Sequence, residues 1–165
     1  MLTGSFASAC HGAGRATVDV DLVIDPTAAK LRALIEGLPA GAWYATLDAA
    51  LEAREHESQF NLSDLETGWK VDRIIRKSRP FSLIEFARRT VIEFEGVRLA
   101  VTTVEEVILV KLEWASPGGS ARQLENVAAL LRVRSADLDR SYLARWIAEL
   151  EVTGQWETAS RLAGM

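Results

Sequence analysis

Two aspartates, Asp19 and Asp21, stand one residue apart in the β-branched segment 17–24. Alternate residues of a strand face the same side, so the two carboxylates are expected to project together. Neighbouring carboxylates repel each other, and a cation between them relieves this repulsion. Oxygen ligands favour hard ions such as Mg²⁺ or Mn²⁺. The spacing predicts a divalent-metal site, and the alternative is a pair of hydrated aspartates on a solvent-facing strand.

A Gly4-Ser5 pair precedes the aspartates, and it is followed by a helix-compatible stretch and then by Arg15. A Gly-Ser turn at a helix N-terminus offers unpaired backbone N–H groups and the positive end of the helix dipole, which attract phosphate groups. No Gly-Lys-Ser/Thr sequence follows, so this segment is not a Walker loop. We therefore expect an anion site close to the aspartates.

The elements that must position these residues begin with a strand over residues 17–24. Its apolar residues Val18, Val20 and Leu22 are expected to face the core. Asp25 is expected to cap the next helix, with Pro26 at the first helical position. A second helix is predicted over residues 46–56.

Two hairpins are predicted from strand-turn-strand patterns, over residues 59–75 with a turn at 66–68 and over residues 90–101 with a turn at 95–96. The pairs Ser82 with Glu85 and Thr103 with Glu106 have the spacing of capping boxes and predict helix starts. Further helices are expected over residues 104–115, 120–133 and 136–152, with a short tail over 156–162. The fold class is therefore α+β: a small mixed or antiparallel sheet with flanking helices and a C-terminal helical part.

Composition indicates an ordinary globular protein: 165 residues, 48% hydrophobic and 25% charged. The net charge of −4 argues against a general nucleic-acid coat protein. One segment is nevertheless basic, and a phosphate-binding face or a solvated surface explains it equally well. Its residues are Lys70, Arg73, Arg76, Lys77, Arg79, Arg88 and Arg89. The lone Cys10 makes no internal disulfide, and the absence of a long apolar stretch or a signal peptide predicts a cytoplasmic protein without a membrane partner.

The Gly-Ser pair, the spacer with Arg15 and the Asp-x-Asp pair together resemble the signature of the DNA polymerase β nucleotidyltransferase superfamily. The resemblance is closer to the minimal bacterial branch that includes the AbiEii-like toxins, through residues 3–8, 11–12 and 15–24. It continues more weakly through residues 70–72, 107–112 and 121–127 and covers most of the chain. It implies a nucleotidyltransferase core over residues 1–102 and a C-terminal helical subdomain over 103–165 that packs on the core.

The activity that the resemblance implies is transfer of a nucleoside monophosphate from an NTP to an acceptor hydroxyl, with release of pyrophosphate. Asp19, Asp21 and Asp72 would hold the Mg²⁺ or Mn²⁺ ions, and Asp72 would also bind or deprotonate the acceptor. The residues expected to hold the triphosphate are Gly4, Ser5, Arg15 and Lys111. The alternatives are a salt bridge of Asp72 with Lys70 or Arg73, a surface position for Arg15, and a Lys111 that reaches water from an apolar helix.

The chain departs from the family pattern at two places. Asn126 stands where the pattern usually has an aspartate, and Glu125 is an imperfect substitute. Only three residues precede the Gly-Ser pair, where family members usually have a helix and a strand. We therefore expect an uncovered strand and helix surface, which favours association with a second chain, such as a homodimer or a partner protein.

The resemblance leaves the acceptor open among RNA such as tRNA, a protein hydroxyl and a small molecule. It also suggests a component of a toxin–antitoxin pair, with a small antitoxin as partner. The competing hypothesis is a non-catalytic binding module or antitoxin-like partner that keeps the fold without turnover. A complete carboxylate triad favours the enzyme, whereas Asn126 favours the binding module.

Overall fold

The computed structural model describes residues 1–14, 16–116 and 118–165 and confirms the α+β class. The strands are β1 (Asp19–Ile24), β2 (Trp43–Tyr44), β3 (Gln59–Asp64), β4 (Lys70–Ile75), β5 (Thr90–Phe94) and β6 (Val97–Val101). The helices are α1 (Gly4–Cys10), α2 (Ala28–Glu36), α3 (Leu47–Glu55), α4 (Pro80–Arg88), α5 (Val104–Ala115), α6 (Ala121–Arg134), α7 (Arg140–Glu149) and α8 (Thr153–Ala163).

A mixed four-stranded sheet has the order β1-β4-β3-β2, and β5 pairs with β6 as a separate hairpin. β1 and β4 are parallel, whereas β3 is antiparallel to both β4 and β2. Both predicted hairpins are confirmed. The segment from α2 through β3 forms the connection that parallel pairing of β1 with β4 requires. The two-residue strand β2 was not predicted, because two residues carry no periodicity.

The first three residues run between β1 and the β5–β6 hairpin. Leu2 forms bridges with both Leu22 and Val101, and its backbone N–H donates to Ala100 O at 2.7 Å. The amino group of Met1 donates to Val23 O at 2.8 Å. The edge of β1 is therefore paired and not left open, contrary to the expectation of an uncovered strand. Backbone pairing along this edge is consequently not available to the expected homodimer.

Two groups of buried apolar side chains hold the elements together. The larger combines helices α5 to α8 with Leu2, Ala7, Phe81 and Val101, which come from the N-terminal segment, α1, α4 and β6. The smaller lies between α2, α3 and the sheet and includes Leu31, Ala50, Ala53, Phe60, Leu62 and Ile75. Val18, by contrast, is 60% exposed and precedes β1, so its predicted core position is wrong.

Several helix starts differ from the prediction. α2 begins at Ala28, because the Thr27 hydroxyl accepts the Lys30 N–H at 3.3 Å. Asp25, the expected cap, instead accepts a 2.8 Å hydrogen bond from Arg76. α4 begins at Pro80, which suits a first helical position, so the residues of the expected capping box at 82 and 85 lie inside the helix.

The C-terminal helices occupy nearly the expected ranges. α5 matches its predicted bounds, but the capping box does not form: Thr103 Oγ1 donates to Glu105 at 3.1 Å, and Glu106 accepts from Arg88 Nε at 2.7 Å. α7 begins at Arg140 and not at residue 136, because the Asp139 carboxylate caps it by accepting the N–H of Tyr142. Within the described residues, no helix has the length and apolar character needed to cross a membrane.

Candidate functional site

Asp21 and Asp72 occupy paired positions on the parallel strands β1 and β4. Asp19 lies two residues before Asp21 and is paired with Lys70 in the same register. Strand alternation places all three aspartates on one face of the sheet, and all three line the same cavity. The structure thus brings together the three carboxylates that the sequence singled out.

The three carboxylates differ in exposure. Asp19 is exposed, Asp21 is half-buried, and Asp72 is only 9% exposed. Burial raises the pKa of Asp21, and the negative charges of Asp72 and then Asp19 raise it further. The ammonium group of Lys111 and the backbone N–H of Ser5 act in the opposite direction on this pKa. Burial is the main cause of this rise, and a cation among the carboxylates would relieve the part that comes from their mutual repulsion.

Asp72 also forms a salt bridge with Lys70, as the alternative interpretation anticipated. Lys70 Nζ lies 3.0 Å from Asp72 Oδ1 and donates a 3.2 Å hydrogen bond to Oδ2. Oδ1 is buried and accepts no hydrogen bond from the described residues. Arg73, the other suggested partner, follows Asp72 directly and therefore points to the opposite face. The Lys70 ammonium group is a cation already placed beside the most buried carboxylate.

The carboxylates do not form a ready-made metal cluster. In the described parts of the chain, no three His, Cys, Asp or Glu side chains are close enough to hold one ion. Their chemistry nevertheless suits a hard divalent cation, since they offer only oxygen atoms. Asp72 Oδ1 is buried, and the ammonium group of Lys70 lies 3.0 Å from it, so a divalent ion would take the place of that ammonium group. Binding would require Lys70 to withdraw and the carboxylates to close around the ion.

Gly4 and Ser5 begin α1 directly beside Asp21. Gly4 has a φ of +63°, and a Cβ on this residue would lie 1.9 Å from Asp21 Oδ2. Ser5 is 7% exposed, and its N–H faces the Asp21 carboxylate. The Ser5 N–H, which we expected to be available for phosphate, therefore already donates to the Asp21 carboxylate. Both residues line the cavity.

Of the two basic residues assigned to the triphosphate, Lys111 and Arg15, the structure describes only Lys111. Lys111 is 6% exposed on α5 and lines the cavity, where its charge lowers the pKa of Asp21. It therefore faces the carboxylates and does not extend from an apolar helix toward open solvent. Arg15 lies outside the described residues.

The cavity has a volume of about 610 Å³ and extends well beyond the aspartates. Its wall includes residues that the sequence analysis did not single out as site residues: Arg79, Glu85, Glu113, Trp114, Arg122 and Gln123. They lie on α4, α5 and α6 or, for Arg79, directly before α4, so only the packing of these helices shows that they share one space. Neither Asn126 nor Glu125 is among the residues that line the cavity in the described part of the chain.

A buried acidic cluster near α4 contributes Glu85 and Glu113 to the cavity wall. Glu85 is 6% exposed, and burial together with the charge of Glu106 raises its pKa to about 7. Arg79 opposes this rise, but its guanidinium group is held by two 2.6 Å hydrogen bonds to the Glu113 carboxylate. Glu106 is fully buried and is paired with Arg88.

Comparison with known proteins identifies no family. No family model matches the chain, and no curated protein matches it. Among solved structures, the crystal structure of JHP933 from Helicobacter pylori is similar with a TM-score of 0.41 and 18% sequence identity. The match covers 99% of this chain and 80% of that one. A similarity this distant supports no statement about activity.

Proposed function

We propose that this protein is a Mg²⁺-dependent nucleotidyltransferase that moves a nucleoside monophosphate from an NTP to an acceptor hydroxyl. The observation that carries the proposal is the pairing of Asp21 with Asp72 across parallel strands, beside Asp19 and in the same cavity as Lys111. Carboxylates and a lysine that face one another across a pocket are the groups that metal-assisted phosphoryl transfer uses.

The transfer forms a bond between the acceptor oxygen and the α-phosphorus and breaks the bond to the pyrophosphate leaving group. Asp19, Asp21 and Asp72 would hold the metal, and Asp72 would also orient the acceptor hydroxyl and take its proton. Lys111, Gly4 and Ser5 would bind the triphosphate, with Ser5 using its hydroxyl because its N–H already donates to Asp21, and Arg15 is proposed to add positive charge there. The bound metal supplies charge neutralisation at the phosphate oxygens and at the departing pyrophosphate.

Ligand-induced stabilisation tests the metal and nucleotide parts of the proposal. Mg²⁺ together with an NTP is expected to raise the Tm of the protein more than either ligand alone, because both bind only the folded state. Asp19→Asn/Asp21→Asn is expected to abolish this combined gain. The charge-matched control is Asp48→Asn/Glu66→Gln, which removes two exposed acidic residues from other positions and should keep the gain. An undiminished gain in the double aspartate variant contradicts the assignment.

Turnover separates the enzyme from a non-catalytic binding module. The protein is incubated with Mg²⁺, each α-labelled NTP in turn and a total cell extract, and label is followed into RNA, protein and small-molecule fractions. Label in one fraction that disappears with Asp72→Asn supports the enzyme and identifies the acceptor class. Binding of Mg²⁺ and NTP without labelled product for any of the four nucleotides favours the non-catalytic alternative.

The proposed toxin–antitoxin role concerns a partner protein and needs its own test. It predicts that expression of the protein arrests growth and that the product of an adjacent small gene relieves the arrest. Asp19→Asn/Asp21→Asn should remove the arrest if nucleotide transfer causes it.

A further inference from the structure

One side of α5 forms a wall of the cavity. Val107, Val110, Lys111 and Trp114 all line this space. Their spacing, three and four residues apart, places them on one face of the helix. Lys111 lies near Asp21, and Trp114 follows three residues later, about 4.5 Å farther along the helix axis. A cationic side chain is therefore followed by an aromatic one along the same wall.

Trp114 differs from the other aromatic residues in its surroundings. Its exposed fraction is 55%, whereas Trp146 is 2% exposed and packs against Phe81 with ring centroids 5.0 Å apart. Trp69 contacts the ring of Phe6. Among the described residues, the aromatic and cation–π contacts do not include Trp114. Its indole is thus a large apolar plane that borders the cavity without an aromatic partner in the described part of the chain.

The first turn of α6 supplies polar groups to the same cavity. Arg122 and Gln123 both line it. Gln123 Oε1 is buried and accepts no hydrogen bond from the described residues. A buried amide oxygen without a donor is costly, and a donor on a ligand in the cavity would satisfy it. An amide can both donate to and accept from the edge of a base.

We propose that Trp114 and Gln123 form the nucleobase subsite of this cavity, with the base stacked on the indole and its edge hydrogen-bonded to the Gln123 amide. The inference rests on the proposed function, because it takes the ligand to be a nucleoside triphosphate. A nucleotide carries its anionic phosphates at one end and a planar base at the other, and α5 presents Lys111 and then Trp114 in that order. Stacking on an aromatic side chain accepts any base, whereas the amide discriminates among base edges.

The test compares two ligands that share phosphates but not a base. Isothermal titration measures the Kd of each of the four NTPs and of inorganic tripolyphosphate, all with Mg²⁺, for the full chain. Trp114→Ala is expected to weaken NTP binding by about tenfold and to leave tripolyphosphate binding unchanged. Trp114→Phe, which keeps an aromatic plane, is expected to recover most of the affinity. Tyr44→Ala is the matched control, since Tyr44 is 65% exposed on β2 and lies outside the described cavity wall.

Gln123→Leu separates recognition of the base edge from stacking. It is expected to reduce the difference in Kd between the tightest and the weakest NTP, again without affecting tripolyphosphate. Three results overturn the subsite: equal affinity of the parent protein for NTPs and tripolyphosphate, NTP binding that is unchanged in both Trp114→Ala and Gln123→Leu, or equal weakening of both ligands by Trp114→Ala. Equal affinity for NTPs and tripolyphosphate overturns the subsite but remains compatible with the proposed phosphate site. Absence of binding of every ligand to the parent overturns the proposed function together with the subsite.

Discussion

Gly4 lies so close to Asp21 that a Cβ on residue 4 would stand 1.9 Å from the carboxylate oxygen Oδ2. The backbone of residue 4 also has a φ of +63°, a conformation that favours glycine. Two independent requirements therefore select glycine at the start of α1. The close approach brings the Ser5 N–H to the Asp21 carboxylate, so the Gly-Ser pair supports the aspartate directly.

Gly4→Ala is expected to destabilise the protein by more than backbone strain alone explains. Gly68→Ala is the control, because Gly68 has a φ of +73° and open space around its missing Cβ. The control should cost about 1 kcal/mol of unfolding free energy, and Gly4→Ala clearly more. Chemical denaturation measures both. Combining Gly4→Ala with Asp21→Ala should recover part of the loss, and strictly additive costs would contradict the proposed clash.

Lys70→Gln is expected to tighten Mg²⁺ binding. The Lys70 ammonium group lies 3.0 Å from Asp72 Oδ1 and must withdraw before a metal ion can use that carboxylate. Removing the competing charge should lower the Kd for Mg²⁺ by roughly fivefold, or about 1 kcal/mol. Titration calorimetry measures this change, with Lys30→Gln on the exposed side of α2 as the control. Unchanged or weaker binding would show that Lys70 and the metal do not compete for Asp72.

The shared face of Asp19 and Asp21 could be predicted because it depends only on neighbouring residues of one strand. Asp19 and Asp21 share a strand, and the alternating pattern fixes that they share a face. The pairing of Asp72 with Asp21 depends on β1 and β4 being parallel neighbours, which the sequence indicates only through the family resemblance. The salt bridge with Lys70 was anticipated because the two residues lie two positions apart on the same strand.

The far end of the cavity could not be predicted in the same way. Glu85, Trp114 and Gln123 lie on three different helices, and each one alone is an ordinary helical residue. That they line one cavity follows from helix packing, which no sequence period encodes. The start of α2 was misassigned for a related reason. Asp25 and Thr27 lie two residues apart, and either could cap the helix. Arg76, which is distant in sequence, binds the Asp25 carboxylate, and Thr27 caps the helix instead.

Glu85→Gln is expected to stabilise the protein at neutral and alkaline pH. Burial and Glu106 raise the pKa of Glu85 from 4.5 to about 7, so the folded state retains a proton that the unfolded state has lost between these values. Stability due to this group is fully present below about pH 4.5 and is lost as the pH rises through about 7. Above that pH, the variant should gain on the order of 1–3 kcal/mol.

Denaturation across about pH 5 to 8.5 measures the effect of this variant. The other titratable groups that act on Glu85, or are acted on by it, are Arg79, Glu113 and Tyr142, and the substitution leaves them in place. Glu55→Gln serves as a control, since Glu55 is exposed at the end of α3. A gain that does not depend on pH would show that Glu85 does not titrate between these limits.

The last prediction concerns an RNA acceptor and the basic residues at the end of β4. Arg76 is paired with Asp25 at 2.8 Å, and Arg79 is held by Glu113, so both charges are already compensated. Lys77 is exposed and lines the mouth of the cavity. Because phosphate contacts release counterions, RNA binding should weaken with salt in proportion to the number of uncompensated cations.

Lys77→Ala is therefore expected to reduce the slope of log K against log salt for tRNA by about one, and Arg76→Ala by less. Filter binding or fluorescence anisotropy at several salt concentrations measures both slopes, and NTP binding serves as the control for an intact site. NTP affinity should be retained in both variants, since the triphosphate is assigned to Lys111 and Ser5. Equal tRNA binding by the parent and Lys77→Ala, or no binding at low salt, would exclude an RNA acceptor at this face and leave Lys77 as a solvated surface residue.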